Sequence, residues 1–377
     1  MVAGNQGKCM RILVSCIPYD QGKSGISVYI NQVVDELKRQ GHQLTLIVEP
    51  DAVSHFSAFP LIVAPRLGGI PVLNMLWHLF ILPFIIKRRD FNFMLIAAAN
   101  RRAMCFYPLF TIAVVHDLAQ YHVKAKYDPL RMLYLKHVLP YFVKRASRIA
   151  AISQCTAGDL IKFWRVSPAK ITVNYNGLSL HRAAVGDNVR QFGLESGKYI
   201  LYVSRIEHPG KNHLNLIKAF EILPEKLRLE YKLALAGSCW DGADEVKDYA
   251  AKSTSSRQIV FCGFVAHEEI QSLFKSAALY IFPSFYEGFG LSLIEAMAYG
   301  IPCACSRSSS LGEIAGQAAL LFEPSDVKDI SSAMVKLLTD GELREEMRRR
   351  GKQRAQDFNW KKHVEKLVKI YEAGTDI

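Results

Sequence analysis

Two carboxylates stand eight residues apart in the stretch SFYEGFGLSLIEAMAYG, residues 284–300. Glu287 sits among glycines and aromatics. Glu295 sits inside a run that is otherwise almost wholly apolar, Leu291 to Ala298. A strand pattern ends at Phe282-Pro283, Gly288 and Gly290 let the backbone come close to a ligand, and a helix is predicted from about Leu291. The unpaired amides and the dipole at such a helix start make an anion site suited to a phosphate. A helix so apolar is expected to be largely buried, where an ionised Glu costs several kcal/mol unless hydrogen-bonded. One reading gives Glu295 the two vicinal hydroxyls of a ribose. The other makes it a structural Glu, held by backbone donors or an arginine.

Further polar groups fall at predicted strand ends. Gly22 and Gly25 lie in the loop after RILVSCI, and His116 and Asp117 follow TIAVV. Arg205 follows YILYVS, with Lys211 six residues on, and Gly237 and Ser238 follow YKLALA. Ligands of parallel α/β sheets sit at the carboxyl ends of the strands. Singly, each residue has an ordinary reading: Gly25 as a helix start, His116 as a satisfied strand-end residue, Arg205 and Lys211 as surface charges. Their common placement weakens those readings together.

The elements that position these groups alternate. A strand at 11–17, a helix at about 26–39 and a strand within GHQLTLIVE open the chain as a βαβ unit. Strands at 93–98, 111–116, 148–152 and 171–175 follow, with helices at 129–145 and 154–163, the second capped by Ser153. The polar stretch NGLSLHRAAVGDNVRQFGLESG reads as a linker. The pattern then restarts, with strands at 199–204, 231–236, 258–262 and 278–283 and near IPCAC. Helices fall near 211–223, 241–252, 267–275 and 291 onward, and the tail holds two helical segments broken near 357–360. Two α/β domains are expected, residues 1–182 and 183–360, with a last helix at about 361–377 that packs on one of them.

The 377 residues, half of them apolar, exceed one ordinary core and fit this division. Eight cysteines form no CxxC pair, and Cys303 and Cys305 alternate as buried strand residues would, so a reducing compartment is expected and no zinc site. The net charge of +12 is uneven: residues 1–182 carry 22 Lys and Arg against 9 Asp and Glu, whereas residues 183–377 carry 25 against 26. A basic half beside a neutral one points to a negative partner, an anionic leaflet or a lipid diphosphate. Nucleic acid is the weakest candidate, since the chain shows no zinc finger, KH-type loop or aromatic-basic strand. No cleavable signal peptide is evident. The run Val72–Ile86 contains Asn74 and His78 and falls short of the roughly 20 residues of a bilayer span. It is expected either as a buried or half-buried helix or as one that dips into a leaflet beside Lys87, Arg88 and Arg89.

The motif from Glu287 to Glu295, EGFGLSLIE, resembles the Glu-x7-Glu signature of the large retaining glycosyltransferase family 4, of GT-B fold. SRIEHPGKN, from Ser204, is similar to that family's donor-diphosphate segment, and GHQLTLIV and NGL to its first-helix exit and domain junction. The likeness spans essentially the whole chain. Ser292 stands where many members have Pro, and QGKSG is less glycine-dense than the family's usual double-glycine loop.

The resemblance implies two Rossmann-like parallel-sheet domains facing a central cleft. It gives Glu295 to the ribose of a nucleotide sugar, Glu287 to the transferred sugar, and Arg205 and Lys211 to the diphosphate. The amides of Phe289, Gly290 and Leu291 then face the diphosphate or sugar, with Gly22, Gly25 and Gly237 lining the site, His116 near the sugar and Phe264 by the base. Arg205, Lys211 and the helix amides would balance the leaving charge without a metal. No carboxylate is assigned as nucleophile, so same-face attack within an ion pair is the expected retaining mechanism. The expected donor is UDP-glucose or a related UDP-hexose. The expected acceptor is a glycan or a polyprenyl-diphosphate-linked glycan of bacterial surface polysaccharide (lipopolysaccharide or exopolysaccharide), met in the cytoplasm or at the inner face of the plasma membrane. Rival readings are a GDP-mannose-dependent mannosyltransferase, a sugar-nucleotide epimerase and a non-catalytic nucleotide-sugar-binding module. A NAD-dependent dehydrogenase is disfavoured by the lack of G-x-G-x-x-G.

Overall fold

The computed structural model describes residues 9–22, 24–66, 71–123, 128–180 and 189–375, with backbone alone at 71, 72, 267 and 268. The chain divides into two compact units, one of Met1–Gly177 with Asn359–Ile377, the other of Leu178–Phe358. The expected boundary at 182/183 and part of the expected linker lie outside the described residues.

The first unit is built on seven parallel strands: β1 (Arg11–Ser15), β2 (Gln43–Val48), β3 (Leu61–Val63), β4 (Phe93–Ile96), β5 (Thr111–Val115), β6 (Arg148–Ala151) and β7 (Ile171–Val173). Their order is β3-β2-β1-β4-β5-β6-β7, with every pairing parallel. Strands β4 and β5 are buried at every residue. Such continuous runs, rather than alternation, mark a sheet covered on both faces. The helix Gly25–Arg39 presents Ile26, Ile30, Val33, Val34 and Leu37 inward, and Ser24 caps it by accepting from Ser27 N. Ser153 caps the helix Gln154–Trp164 in the same way.

The two apolar segments at 71–85 and 129–143 are each helical with a π turn in the middle. The first runs Pro71–Leu76, Trp77–Ile81, Leu82–Ile85 and the second Pro129–Leu133, Tyr134–Val138, Leu139–Val143, the middle turn being π in both. A proline follows each π turn, Pro83 and Pro140. Proline has no N–H and collides with the carbonyl four residues back, and widening the turn relieves that collision. The carbonyls left over are taken up elsewhere: that of Leu79 accepts from Cys105 N at 2.9 Å, and that of Lys136 from the Tyr121 hydroxyl at 3.0 Å. The first of these helices buries Trp77, His78, Leu79 and Leu82 and leaves Phe80, Ile81, Phe84 and Ile85 exposed.

The last helix, Trp360–Thr375, belongs to the first unit. His363 Nε2 meets the Tyr29 hydroxyl at 2.9 Å, its Nδ1 lies 2.8 Å from the Tyr175 carbonyl, and its own carbonyl accepts from Asn174 Nδ2 at 3.0 Å. Tyr371 stacks on Phe93. Gly374 faces Phe110 so closely that a Cβ would lie 2.5 Å from the ring.

The second unit holds six parallel strands: β8 (Tyr199–Val203), β9 (Lys232–Ala236), β10 (Ile259–Gly263), β11 (Leu279–Phe282), β12 (Cys303–Ser306) and β13 (Leu320–Phe322), in the order β10-β9-β8-β11-β12-β13. Cys303 and Cys305 are buried in β12. The sequence reading overlooked β3 and β13, both only three residues long, and the helix Val327–Thr339. That helix does carry a 3.6-residue signal, burying Ile330, Ala333, Met334, Leu337 and Leu338.

Candidate functional site

In the second unit the strands deliver their following loops to one edge. Arg205 and Lys211 come after β8, Gly237 after β9, Phe264 after β10 and Glu287 after β11. The loop ends pack backbone on backbone: a Cβ at Gly237 would lie 1.9 Å from the Ser204 carbonyl oxygen. The Gly237 amide donates to the Gly263 carbonyl at 2.8 Å. Phe264, next in line, is exposed.

Glu287 and Lys211 meet directly. Lys211 Nζ donates to Glu287 Oε1 at 2.7 Å, with the side chains only 17% and 14% exposed. Both are held from behind. The Tyr202 hydroxyl donates to the Lys211 carbonyl at 2.9 Å and meets Ser284 Oγ at 2.9 Å. Asn212, at φ +60°, donates from Nδ2 to the carbonyls of Pro283 (2.9 Å) and Pro324 (2.7 Å) and so ties the Lys211 loop to the β11 loop. On the Glu287 side, its amide donates to Ser309 Oγ at 2.9 Å, and the Ser310 hydroxyl donates to the carbonyls of Glu287 (2.9 Å) and Phe289 (3.0 Å). These serines, with Tyr202 and Asn212, were not singled out from the sequence. The one cue was the run SRSSS directly after a strand.

Arg205 is placed differently. Its guanidinium lies 4.9 Å from the Trp240 ring centroid and 3.5 Å from Glu207. It is the more exposed of the two cations, with 39% of its side chain accessible.

The helix Leu291–Ala298 begins after Gly290, whose φ is +108° and where a Cβ would meet Leu311 at 2.7 Å. A left-handed, crowded position of this kind takes glycine. The first helix residues that donate along the chain are Leu293 and Ile294, both to the Gly290 carbonyl. Among the described residues the amides of Gly290, Leu291 and Ser292 make no such bond, the normal condition of a helix start and the basis of an anion site. Ser292 turns away from it, accepting from the Tyr280 hydroxyl at 2.8 Å and reaching the Val203 carbonyl at 3.4 Å.

One turn further in, Glu295 is half-buried, and its carboxylate has no hydrogen-bond or ion-pair partner among the described residues. Neither the backbone donors nor the arginine of the structural reading is there. Removal from water raises its pKa from 4.5 to about 8. Lys211–Glu287 is thus a satisfied pair, while Glu295, eight residues on from Glu287, is an acceptor with no partner among the described residues.

His116, Gly22 and Gly25 belong to the first unit. His116 follows β5 immediately and is buried edge-on against Tyr29. Its Nε2 lies 2.7 Å from the Ala97 carbonyl, which can only accept, so the proton sits on Nε2 and Nδ1 is an acceptor. Burial pushes its pKa down to about 4, and the ring is neutral at pH 7. Gly22 turns the chain after β1 at φ +85°, and Gly25 opens the helix Gly25–Arg39. Among the described residues no group of three His, Cys, Asp or Glu is arranged to hold a metal.

The Glu295 shift has a measurable consequence. A carboxyl whose pKa is higher in the folded than in the unfolded chain contributes stability that is full below about pH 4.5 and is lost as pH rises through about 8. Glu295→Gln removes that titration. Thermal unfolding followed from about pH 4.5 to 8.5 is expected to show the wild type losing stability relative to the variant as pH rises. Parallel curves would place the carboxylate in water.

Two family models match the chain: residues 23–182 the one described as Glycosyltransferase Family 4, and residues 187–354 the one described as Glycosyl transferases group 1. O-antigen chain mannosyltransferase B of Escherichia coli is 28% identical over 265 residues, 69% of this chain and 69% of its own length. The Serotype-specific mannosyltransferase WbdA of Escherichia coli is 30% identical over 264 residues, 67% of this chain, and the match spans about a third (32%) of that longer protein. Among solved structures, Anabaena Alr3699/HepE in complex with UDP and glucose shares the fold with a TM-score of 0.74 at 17% identity, covering 97% of this chain and 100% of that one. With one family model on each parallel-sheet unit and the fold shared from end to end, the chain is a glycosyltransferase of the GT-B fold, related to family 4 and to group 1.

Proposed function

We propose that the protein is a retaining hexosyltransferase that uses a nucleoside-diphosphate sugar as donor. The observation that carries this reading is Glu295, a half-buried carboxylate with no partner among the described residues, one turn after the open amides at the start of helix Leu291–Ala298. A ribose diol supplies the two donors Glu295 lacks, and the diphosphate takes the open amides together with Arg205. Lys211, held against Glu287, sets the orientation of the carboxylate that reaches the sugar.

In the step itself the bond from the anomeric carbon to the leaving phosphate oxygen breaks, and its electron pair stays on the nucleoside diphosphate. The acceptor hydroxyl oxygen bonds to the anomeric carbon on the same face and its proton passes to the leaving phosphate. Arg205, Lys211 and the amides stabilise the charge that develops on that phosphate. Glu287 is neutralised by Lys211 in the free protein and is not assigned as a nucleophile. His116, neutral and with Nδ1 as acceptor, suits a hydrogen bond from a sugar hydroxyl rather than proton donation.

The donor sugar has two readings. The resemblance in the sequence favoured UDP-glucose or a related UDP-hexose. The relatives at 28% and 30% identity are named mannosyltransferases, which favours GDP-mannose. The acceptor is proposed to be a surface glycan, as the name of the O-antigen relative supports, carried on a polyprenyl diphosphate. Peripheral contact with an anionic leaflet fits the exposed Phe80, Ile81, Phe84 and Ile85 beside Lys87, Arg88 and Arg89. No helix among the described residues is long and apolar enough to cross a membrane.

Three measurements check this reading. Titration of UDP and GDP by calorimetry identifies the base, and Glu295→Ala is expected to weaken the preferred nucleotide by about 1.5–3 kcal/mol, roughly 10- to 150-fold. Glu287→Ala is expected to slow transfer far more than it weakens the nucleotide. Unchanged nucleotide affinity in Glu295→Ala removes the ribose assignment. Transfer assayed with excess chelator is expected to persist, because Arg205 and Lys211 supply the counter-charge, and full loss restored by magnesium would overturn that role. Flotation on anionic but not neutral vesicles, reduced by high salt and by Lys87→Gln, Arg88→Gln and Arg89→Gln together, is the outcome expected for leaflet contact. Equal flotation on both vesicle types would overturn it.

A further inference from the structure

A cavity of about 1320 Å³ lies wholly within the first unit. It is set at the carboxyl edge of that sheet, where Asp20 follows β1, Glu49 follows β2, Asn100 follows β4 and Asp117 follows β5. The two π-turned helices flank it.

Its polar lining is incomplete. Five buried polar atoms of lining residues have no hydrogen-bond partner among the described residues: Oδ1 of Asn74 and of Asn100, Nε of Arg102, Nε2 of Gln120 and the hydroxyl of Tyr134. Arg102 is the most telling. Its side chain is 10% exposed, and Nη1 donates to the Arg101 carbonyl at 3.1 Å while Nε has no partner; its nearest carboxylate is Glu49 at 3.9 Å, which already accepts from Asn74 at 3.1 Å. A buried guanidinium so loosely paired favours an anion beside it. Arg101, next to it, makes no side-chain hydrogen bond or ion pair among the described residues.

The acids around the cavity are engaged by the protein itself. Asp20 accepts from Ser24 N at 3.1 Å and from the Ser27 hydroxyl, and Asp51 pairs with Arg66 at 3.2 Å. Asp117 accepts from Ala119 N at 3.2 Å and Asp128 from Arg131 N at 2.9 Å. The donors left over are Arg101, Arg102 Nε and the neutral Gln120 Nε2 and Tyr134 hydroxyl, so the charged ones are cationic.

The rim has the opposite character. Leu76 and Phe80 from one helix and Leu130 and Val138 from the other line the cavity and are exposed, Leu130 by 80%. Outside it Phe84, 75% exposed, rests edge-on against Phe106.

We propose that this cavity binds the diphosphate end of a lipid, with the phosphates on Arg101 and Arg102 and the first isoprenoid-length stretch of hydrocarbon along Leu76, Phe80, Leu130 and Val138. The inference rests on the proposed transfer to a lipid-linked acceptor and gives that acceptor its site. Neither a free anion nor a neutral lipid uses both halves of the lining. A diphosphate also satisfies the open donors of Gln120 and Tyr134.

The test uses the full chain, with its preferred nucleoside diphosphate at saturation so that the second unit's anion site is occupied. Farnesyl diphosphate, inorganic diphosphate and farnesol are titrated in turn by calorimetry. Farnesyl diphosphate is expected to bind at least tenfold more tightly than either of the others. Arg101→Gln and Leu130→Ser, at half-buried and exposed positions that leave the core intact, are each expected to weaken it about tenfold while nucleotide affinity is unchanged. Equal affinity for inorganic diphosphate would overturn the lipid assignment, and equal affinity for farnesol the anion assignment. Binding untouched by both substitutions would put the ligand elsewhere. If nucleotide titrates normally but farnesyl diphosphate does not bind, this inference fails and the donor reading stands. If no nucleotide binds, the proposed function itself fails.

Discussion

A parallel sheet sends the carboxyl end of every strand to the same edge, and all the chemistry of this protein descends from that constraint. Each strand needs a return crossover, so each carboxyl end is followed by a loop and a helix start. Loops, positive-φ glycines and open helix amides therefore collect along one edge without any long-range design. The second unit uses this for Arg205, Lys211, Gly237, Phe264 and Glu287 on four consecutive strand ends of a six-stranded sheet. The first unit uses it for His116 and for the arginine-bearing cavity. Backbone crowding at that edge selects the glycines: Gly237 lies against the Ser204 carbonyl and Gly290 against Leu311.

Within that frame, charged groups fall into two kinds. Lys211 and Glu287 satisfy each other at 2.7 Å and are backed by Tyr202, Asn212, Ser309 and Ser310. Such a pair is structurally quiet until a third charge arrives. Glu295 and Arg102 are the opposite: Glu295, half-buried and with its pKa raised, has no partner among the described residues, and Arg102, buried, leaves Nε unpaired although its Nη1 donates to the Arg101 carbonyl. Withdrawing a polar group from water without full pairing costs stability, so these two positions trade stability of the free protein for affinity toward something absent from it. One is an acceptor and the other a donor, which is why the two sites call for ligands of different chemistry.

Much of this was legible in the sequence. Near-continuous apolar runs of four to six residues identified strands such as β4, β5 and β8 because both faces of the sheet are covered. The helix cap Ser153 and the start at Leu291 were readable from residue type alone, whereas the cap Ser24 was not singled out. Of the three-residue edge strands, β7 was read within the longer run ITVNY, whereas β3 and β13 were not. At the site, charged residues at strand ends stood out, whereas the neutral residues that hold them did not. Tyr202, Ser309 and Ser310 act through contacts 9 to 82 residues away in the chain, and no local pattern reports those. The cavity was illegible for the same reason: it is a property of four strand ends and two helices together. The run 72–86 showed its length and its interruptions, but not which residues it turned outward.

That last point follows from the π turns. An α-helix advances about 100° per residue, so one extra residue within a turn rotates everything after it by that amount. A single apolar segment can then be wetted by the core along one stripe and by the surroundings along another, as Trp77, Leu79 and Leu82 differ from Phe80, Phe84 and Ile85. The two stripes are opposite faces of one stretch of helix, and the π turn sets their register against the helix before it. In genetic terms that register is one codon deep. Loss of one residue between Trp77 and Ile81 would rotate Leu82–Ile85 by about 100° relative to Pro71–Leu76 and leave composition almost unchanged. Insertions and deletions here, rather than substitutions, are the changes to which the shape of this surface is most exposed.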